Sequence, residues 1–436
     1  MTIEIKGTRN YSATVIRVPA VRKAENSDRL YIIDVMGITA IVDDSWIARE
    51  GELALLFPAE VQLEPGFMKA NNLYRDKELN DDQTQAGYID TNRRVRALKL
   101  RGNISNGLVM PISSIWFAST AELSEGDVFD TIDGYAICRK YVVPVKATSA
   151  QNRADSKIKK AFKRVTDVFL PAHFETGQWL REEHNVGSHE ELIITQKLHG
   201  TSVRLANTVV ARELSWFEKV AQKLGVKVAD HEYDLVAGSK KVIKDPNNPN
   251  QNHFYLSDVW TEALKVYGNK LPKNVVVYGE LVGYVPNTGA PIQKGHTYEC
   301  APGTFELYIY RVAIITEDAE LYDLSWDAVR DFCSRHGMKH VPELDRMPKA
   351  VFDVMDFNEK NFLEIQQDSK QMFDYLTPYT DEPVRLSEGG TGADEGIAIR
   401  VERGLTPEIY KYKNKSHYEW ETKELDTGIP DLESVG

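Results

Sequence analysis

The chain has 436 residues, 42% of them hydrophobic, enough for two or three domains with sizeable cores. No apolar run reaches the roughly 18 residues that a membrane-spanning helix needs, Met1-Thr2-Ile3-Glu4-Ile5-Lys6 lacks a signal-peptide pattern, and Cys138, Cys300 and Cys333 are spaced for neither a zinc site nor a disulfide framework. A reducing cytoplasm with no membrane partner is the expectation, for a virus-encoded protein inside a host cell as well, and the net charge of −12 weighs against nucleic-acid binding unless a local basic surface provides it.

Residues 1–120 read as all-β, within a first domain of 1–138. Residues 11–18, 30–35, 39–42 and 53–57 are short β-rich runs broken by turn signals such as Glu50-Gly51. Residues 95–100 and 108–110 flank the turn Arg101-Gly102-Asn103-Ile104-Ser105-Asn106-Gly107. Short strands at this density fit a small barrel of the OB type, and other small barrels fit the pattern equally well. Residues 139–165 read as a basic linker entering a helix: nine Lys/Arg (Arg139, Lys140, Lys146, Arg153, Lys157, Lys159, Lys160, Lys163 and Arg164) stand against one acid, Asp155. Apolar Ile158, Ala161, Phe162, Val165 and Phe169 keep close to helical spacing over 157–169. This stretch and the cluster Arg93, Arg94, Arg96, Lys99 and Arg101 are candidate nucleic-acid surfaces. A solvated linker and an ordinary charged strand are the competing readings. A second domain spans 166–420, with helices at 325–335 and 359–375 over its sheets and a loop at 247–252. The acidic segment after His417, with the tail 421–436, is expected to be peripheral.

Within the second domain, Leu192-Ile193-Ile194 reads as a buried strand that delivers Thr195-Gln196-Lys197-Leu198-His199-Gly200-Thr201-Ser202. A lysine, then a polar residue and a glycine, presents an amine where the backbone can bend close to a bound group. Three segments follow in order: Val277-Tyr278-Gly279-Glu280, Asp394-Glu395-Gly396-Ile397-Ala398-Ile399, and Lys411-Tyr412-Lys413. Lys411 and Lys413, two apart on a strand, point to one face. Attack by Lys197 needs an unprotonated amine, whereas free lysine titrates near pKa 10.4. Neighbouring cations and partial burial disfavour its charged form. The same cations neutralise charge building on a phosphate.

Together the four segments resemble the covalent nucleotidyltransferase superfamily of ATP-dependent RNA and DNA ligases and RNA capping enzymes. The Lys-Leu-His-Gly form is closer to RNA ligases. Leu100-Arg101-Gly102, Ser105, Gly107-Leu108 and Pro111 are similar to the N-terminal OB domain of one RNA ligase branch, and only about 20 residues follow Lys415, too few for an OB domain behind the transferase domain. The resemblance implies an α+β chain: an N-terminal OB-type β-barrel, then a two-sheet nucleotidyltransferase (adenylation) domain with flanking helices. It implies an enzyme that joins RNA 3′-hydroxyl and 5′-phosphate ends, nicks included, through lysyl-AMP, using ATP and Mg²⁺ or Mn²⁺. RNA is the implied partner and a monomer the expected state.

The resemblance also assigns roles. Lys197, Lys411 and Lys413 are catalytic. Gln196 reads the adenine edge beside Leu198. His199 either orients a metal-bound water or phosphate or makes a local turn hydrogen bond. Glu280 receives the ribose hydroxyls and joins Glu395 in holding the metal. Tyr310 stacks on the base, with Tyr308 as alternate. Arg101 and Ser105 touch nucleic acid, or else serve hairpin geometry alone. Where the family has Ser-Arg, this chain has Ser239-Lys240. Lysine forfeits bidentate phosphate binding, so Arg204 and Arg212 are alternatives to Lys240. A DNA ligase, a capping guanylyltransferase and a non-catalytic nucleic-acid-binding protein are the rival functions.

Overall fold

The computed structural model describes residues 4–8, 10–118, 120–143, 164–244, 258–286, 288–354 and 395–427. The expected loop at 247–252, the helix at 359–375 and most of the basic linker lie outside them. Two compact units divide the chain: one holds Met1–Val143, Gly177–Asn185 and Lys413–Ile429, the other Pro144–Thr176, Val186–Tyr412 and Pro430–Gly436.

The first unit contains β1 (Ala13–Arg17), β2 (Tyr31–Val35), β3 (Ile38–Val42), β4 (Leu53–Pro58), α1 (Pro65–Ala70), β5 (Leu98–Leu100), β6 (Asn103–Ser105) and β7 (Gly107–Pro111). Its central sheet runs β7-β4-β1 and ends on Val128–Phe129, while β2 and β3 pair in a separate sheet with Arg22–Lys23. Among the described residues the pairing gives small open sheets and no closed barrel. Strand pleating puts alternate residues on opposite faces, and the central sheet is buried on both. Val15, Leu55, Phe57 and Leu108 enter one apolar cluster. Ile16, Leu56 and Val109 enter another.

Two expectations change here. In the cationic cluster at 93–101, Arg94 is buried and bonds Glu60 through Nε at 2.8 Å and Nη2 at 2.6 Å. Arg93 donates to the Leu63 carbonyl, and Arg96 pairs with Asp90. Only Lys99 and Arg101 of that cluster are exposed. Of the linker cations that are described, Arg139 pairs with Glu64 and Lys140 lies over the Tyr11 ring. The second change is the C-terminal segment. It forms a helix, Lys415–Asp426, with Thr422 and Leu425 buried. The Thr422 hydroxyl donates to Glu60 at 3.1 Å, and Arg94 donates to Asp426 at 3.0 Å. As far as Asp426 this segment is packed rather than a peripheral tail, because buried Thr422, Glu60 and Arg94 satisfy one another's polar groups.

The second unit is built on β8 (Glu191–Lys197), β9 (Thr201–Ala211), α2 (Trp216–Lys223), β10 (His231–Gly238), α3 (Val259–Tyr267), β11 (Val275–Gly283), β12 (Phe305–Ile315), α4 (Trp326–Arg335), β13 (Glu343–Pro348), β14 (Gly396–Val401) and β15 (Glu408–Lys413). One sheet has the order β10-β9-β11-β12, flanked by Ile243–Lys244 and Leu321–Asp323; another contains β15-β14-β8-β13. Every residue of β11 is buried, which is why it reads as a continuous apolar run instead of an alternating one. Val203, Leu205 and Val277 face Trp260 of α3 and Trp326 of α4. Ala206, Val276 and Tyr278 face the opposite side with Leu170. Ser325 caps α4, in line with the expected helix at 325–335. The helix expected over 157–169 is not formed in its described part, where residues 164–166 are irregular, residues 167–169 make a turn and Arg164 pairs with Asp234 at 2.8 Å. The fold is mixed α/β, and among the described residues no helix is long and apolar enough to cross a membrane.

Candidate active site

The antiparallel register of β8 with β14 sets Lys197 opposite Gly396. Glu395, one residue before β14, therefore lies beside the end of β8. The Lys197 Nζ is 2.8 Å from Glu395 Oε2, with side-chain exposures of 19% and 1%. His199 Nδ1 is 3.7 Å from the same oxygen. An ammonium held in such a pair has no lone pair to offer, so a nucleophilic role for Lys197 would require the pair to open or the carboxylate to be engaged elsewhere.

The turn from β8 to β9 requires Gly200. A Cβ there would sit 2.2 Å from the Leu281 carbonyl oxygen and 2.9 Å from Glu280 Cγ. That closeness lets the Gly200 N–H donate to Glu280 Oε1 at 3.2 Å, while the Ser202 hydroxyl donates to Oε2 at 3.3 Å. Ser202 faces Glu280 across the β9–β11 register. The turn after Lys197 and the Glu280 strand are thus one construction. Glu280 and Glu395 are buried, and carboxylate oxygens are the donors that Mg²⁺ and Mn²⁺ prefer. The residues fit a divalent cation.

The other candidates fall as follows. Leu198 is buried in the apolar core, so only its backbone can meet a ligand. Gln196 is buried too, and its N–H donates to the Pro342 carbonyl. The β11–β12 pairing slips between Tyr278 and Gly279, opposite Arg311 and Ile309, leaving Tyr310 as the extra residue. Such bulges break strict alternation and re-aim side chains. Tyr310 is half-buried, with its hydroxyl 2.9 Å from His173 Nδ1. Tyr308 is a core aromatic whose phenol burial pushes up to about 12. Lys411 and Lys413 share the half-buried face of β15, opposite buried Tyr410 and Tyr412. Lys413 Nζ lies 3.4 Å from Glu421.

Lys240 is half-buried in the turn between β10 and Ile243–Lys244. Arg204 is fully buried, and burial lowers its pKa. It donates to the carbonyls of Ser239 and Leu170, so it braces the Lys240 turn from inside. Arg212 is tied to Glu218 at 2.6 Å and to the Ala229 carbonyl. In the first unit, Arg101 is exposed at φ 49°. Ser105 is buried, accepting from the Ile41 N–H and donating to the Gly107 carbonyl, so its visible bonds are those of strand geometry.

Four residues escape sequence reasoning. The Trp260 indole donates to the Ser202 carbonyl at 3.0 Å. Gln293, His296 and Tyr298 approach the His199-Gly200 turn from the connection between β11 and β12. That connection offers only turn residues, such as Gly289, Pro291 and Gly295, and none of them marks a side chain that reaches elsewhere.

The model of the RNA ligase family matches residues 190–413. Solved structures of Naegleria gruberi RNA ligase share the fold. An apo variant aligns with TM-score 0.56 at 15% identity, covering 95% of this chain and 99% of that one. A variant with ATP and Mn aligns with TM-score 0.56 at 14% identity over 96% and 100%. The form with PPi gives 0.56 at 14% over 94% and 98%. No curated protein sequence matches the chain.

Proposed function

Because the chain belongs to the RNA ligase family, we propose that it joins RNA 3′-hydroxyl and 5′-phosphate ends, nicks included, at the expense of ATP. The observation that carries this reading is the Lys197–Glu395 pair at 2.8 Å, beside a turn welded to Glu280. A solvated surface lysine has no reason to end a buried strand against a buried carboxylate.

In the proposed sequence the Lys197 amine attacks the α-phosphorus of ATP, a nitrogen–phosphorus bond forms, and pyrophosphate leaves. The AMP passes to a 5′-phosphate end. A 3′-hydroxyl then attacks that phosphate and expels AMP. Covalent catalysis divides one hard displacement into easier ones. Glu395 and Glu280 would hold the divalent cation, which supplies charge neutralisation at the phosphates. Glu280 would also receive the ribose hydroxyls, Tyr310 would stack on adenine, and Gln196 would read its edge. Lys240, Lys411 and Lys413 would contact phosphates, where ammonium groups offset developing charge. Naegleria gruberi RNA ligase with ATP and Mn, sharing this fold, supports the choice of nucleotide and ion.

The N-terminal unit is proposed as the OB-type module, gripping RNA largely through phosphates, with exposed Lys99 and Arg101 as contacts and Ser105 bracing their hairpin. The transferase domain is proposed to span 166–420 in two sheets, and the enzyme to act as a monomer. An A-form duplex displays 2′-hydroxyls in its shallow groove, which suits a nick. The test is intact-mass measurement after incubation with Mg²⁺ and either ATP or GTP. A gain of one AMP from ATP alone is expected. No gain, or a gain of GMP, would overturn the reading.

A further inference from the structure

The turn that follows Lys197 is held by side chains from one distant segment. The His199 N–H donates to the Tyr298 hydroxyl at 2.7 Å, and Gln293 Nε2 donates to the Gly200 carbonyl at 2.9 Å. The His296 ring meets the His199 ring edge-on, with centroids 4.8 Å apart and an interplanar angle of 72°. With Glu280 taking the Gly200 N–H, three backbone polar groups of this turn are bonded to side chains.

The segment that supplies them, residues 290–304, is closed at both ends and anchored inside. The Tyr284 N–H donates to the Thr304 carbonyl and the Ile292 N–H to the Gly283 carbonyl, both at 2.8 Å. Val285, Ile292 and Tyr298 enter the main apolar cluster. His296 is fully buried. Tyr298 and Glu299 both adopt left-handed backbone, φ 47° and 60°. Two such non-glycine residues in a row are strained and persist only where the surroundings over-determine them. Here the strain delivers a phenol to one backbone amide of the nucleophile turn.

Granting the ligase reading, we propose that residues 290–304 form a buckle whose Gln293, His296 and Tyr298 are positioning residues for AMP attachment. They fix the His199 ring 3.7 Å from Glu395, which in turn faces Lys197. They act through His199 and need not touch the nucleotide. Misplacing a reacting group by about 1 Å costs on the order of 100-fold in rate, so a buckle that holds this turn has catalytic consequence.

The experiment is single-turnover AMP attachment from radiolabelled ATP with Mg²⁺. It uses the full chain and the variants His199→Ala, Tyr298→Phe, His296→Ala and His296→Phe, with each buckle variant also made in the His199→Ala background. Tyr298→Phe and His296→Ala should slow attachment roughly 10- to 100-fold at saturating ATP, with the half-saturating ATP concentration changed less than about threefold. His296→Phe, which keeps a ring at that place, should recover most of the rate. In the His199→Ala background the buckle variants should add nothing, since contacting residues that act as a unit are non-additive. Variants that match the full chain, losses that add to that of His199→Ala, or a His199→Ala rate equal to wild type would each overturn the buckle. If the unmodified chain gains no AMP, the ligase reading itself fails, and the two failures are distinguishable.

Discussion

At the residue scale, the site turns on how little room surrounds the turn after Lys197. Gly200 is the clearest case, because any side chain there meets the Leu281 carbonyl at 2.2 Å. Backbone on both strands would have to shift, and overpacking of this kind costs about 1–3 kcal/mol. Gly200→Ala should therefore leave the chain folded with a modestly lower melting temperature, yet lose AMP attachment, because the shift moves the Glu280 contact and the end of β8 together. Thermal melting alongside intact mass checks this; a variant that takes up AMP normally would refute the close-approach explanation. Lys197→Ala separates chemistry from shape. It should abolish AMP attachment while still sealing a strand supplied with AMP already on its 5′ end, and a variant that still acquires AMP would show that another residue is the nucleophile.

At the element scale, α2 illustrates stability that stays local. Ser215 and Glu218 form a capping box, and Arg212 braces Glu218, yet none of the helix residues is buried. Losing such a cap costs about 1 kcal/mol. Ser215→Ala should raise hydrogen exchange across Trp216–Lys223 without lowering the global melting temperature; a global drop would mean that the helix is packed against something after all. The same locality explains what was legible in the sequence. The strands β8 and β11 are long and buried, and the apolar runs Leu192-Ile193-Ile194 and Val275-Val276-Val277 announce them. The strands at 61–63 and 128–140 are two or three residues long, too short to carry a period. The bulge at Tyr310 inserts one residue and leaves no compositional trace. The sequence marks Lys197 because it ends a buried apolar strand, Glu395 because it precedes a strand that opens on Gly396, and Glu280 because it follows Gly279 within a buried run. The buckle residues are not, because their role depends on a fold-back of roughly a hundred residues that only tertiary contact reveals.

At the scale of the whole molecule, the C-terminal helix belongs to the same unit as the N-terminal sheets, although the strand leading into it carries Lys411 and Lys413. Removing residues 1–140 would therefore strand Thr422 and Asp426 without their partners, and it is a poor test of what the N-terminal unit does. Arg94 gives a cleaner one. Its side chain is fully buried, bonded to Glu60 and Asp426, and lies over the Tyr141 ring. Removing one partner of a buried pair leaves the other charge uncompensated and costs roughly 3–5 kcal/mol. Arg94→Met should thus loosen this unit, measured as faster proteolysis and hydrogen exchange within residues 415–427. Lys197, Glu280, Glu395 and Lys411 all lie in the other unit, so AMP attachment should persist while joining of RNA ends falls by roughly tenfold or more, the size of effect expected from a misplaced substrate. Equal loss of both activities would instead give this unit, which includes Lys413 at the end of β15, a direct part in the nucleotide step.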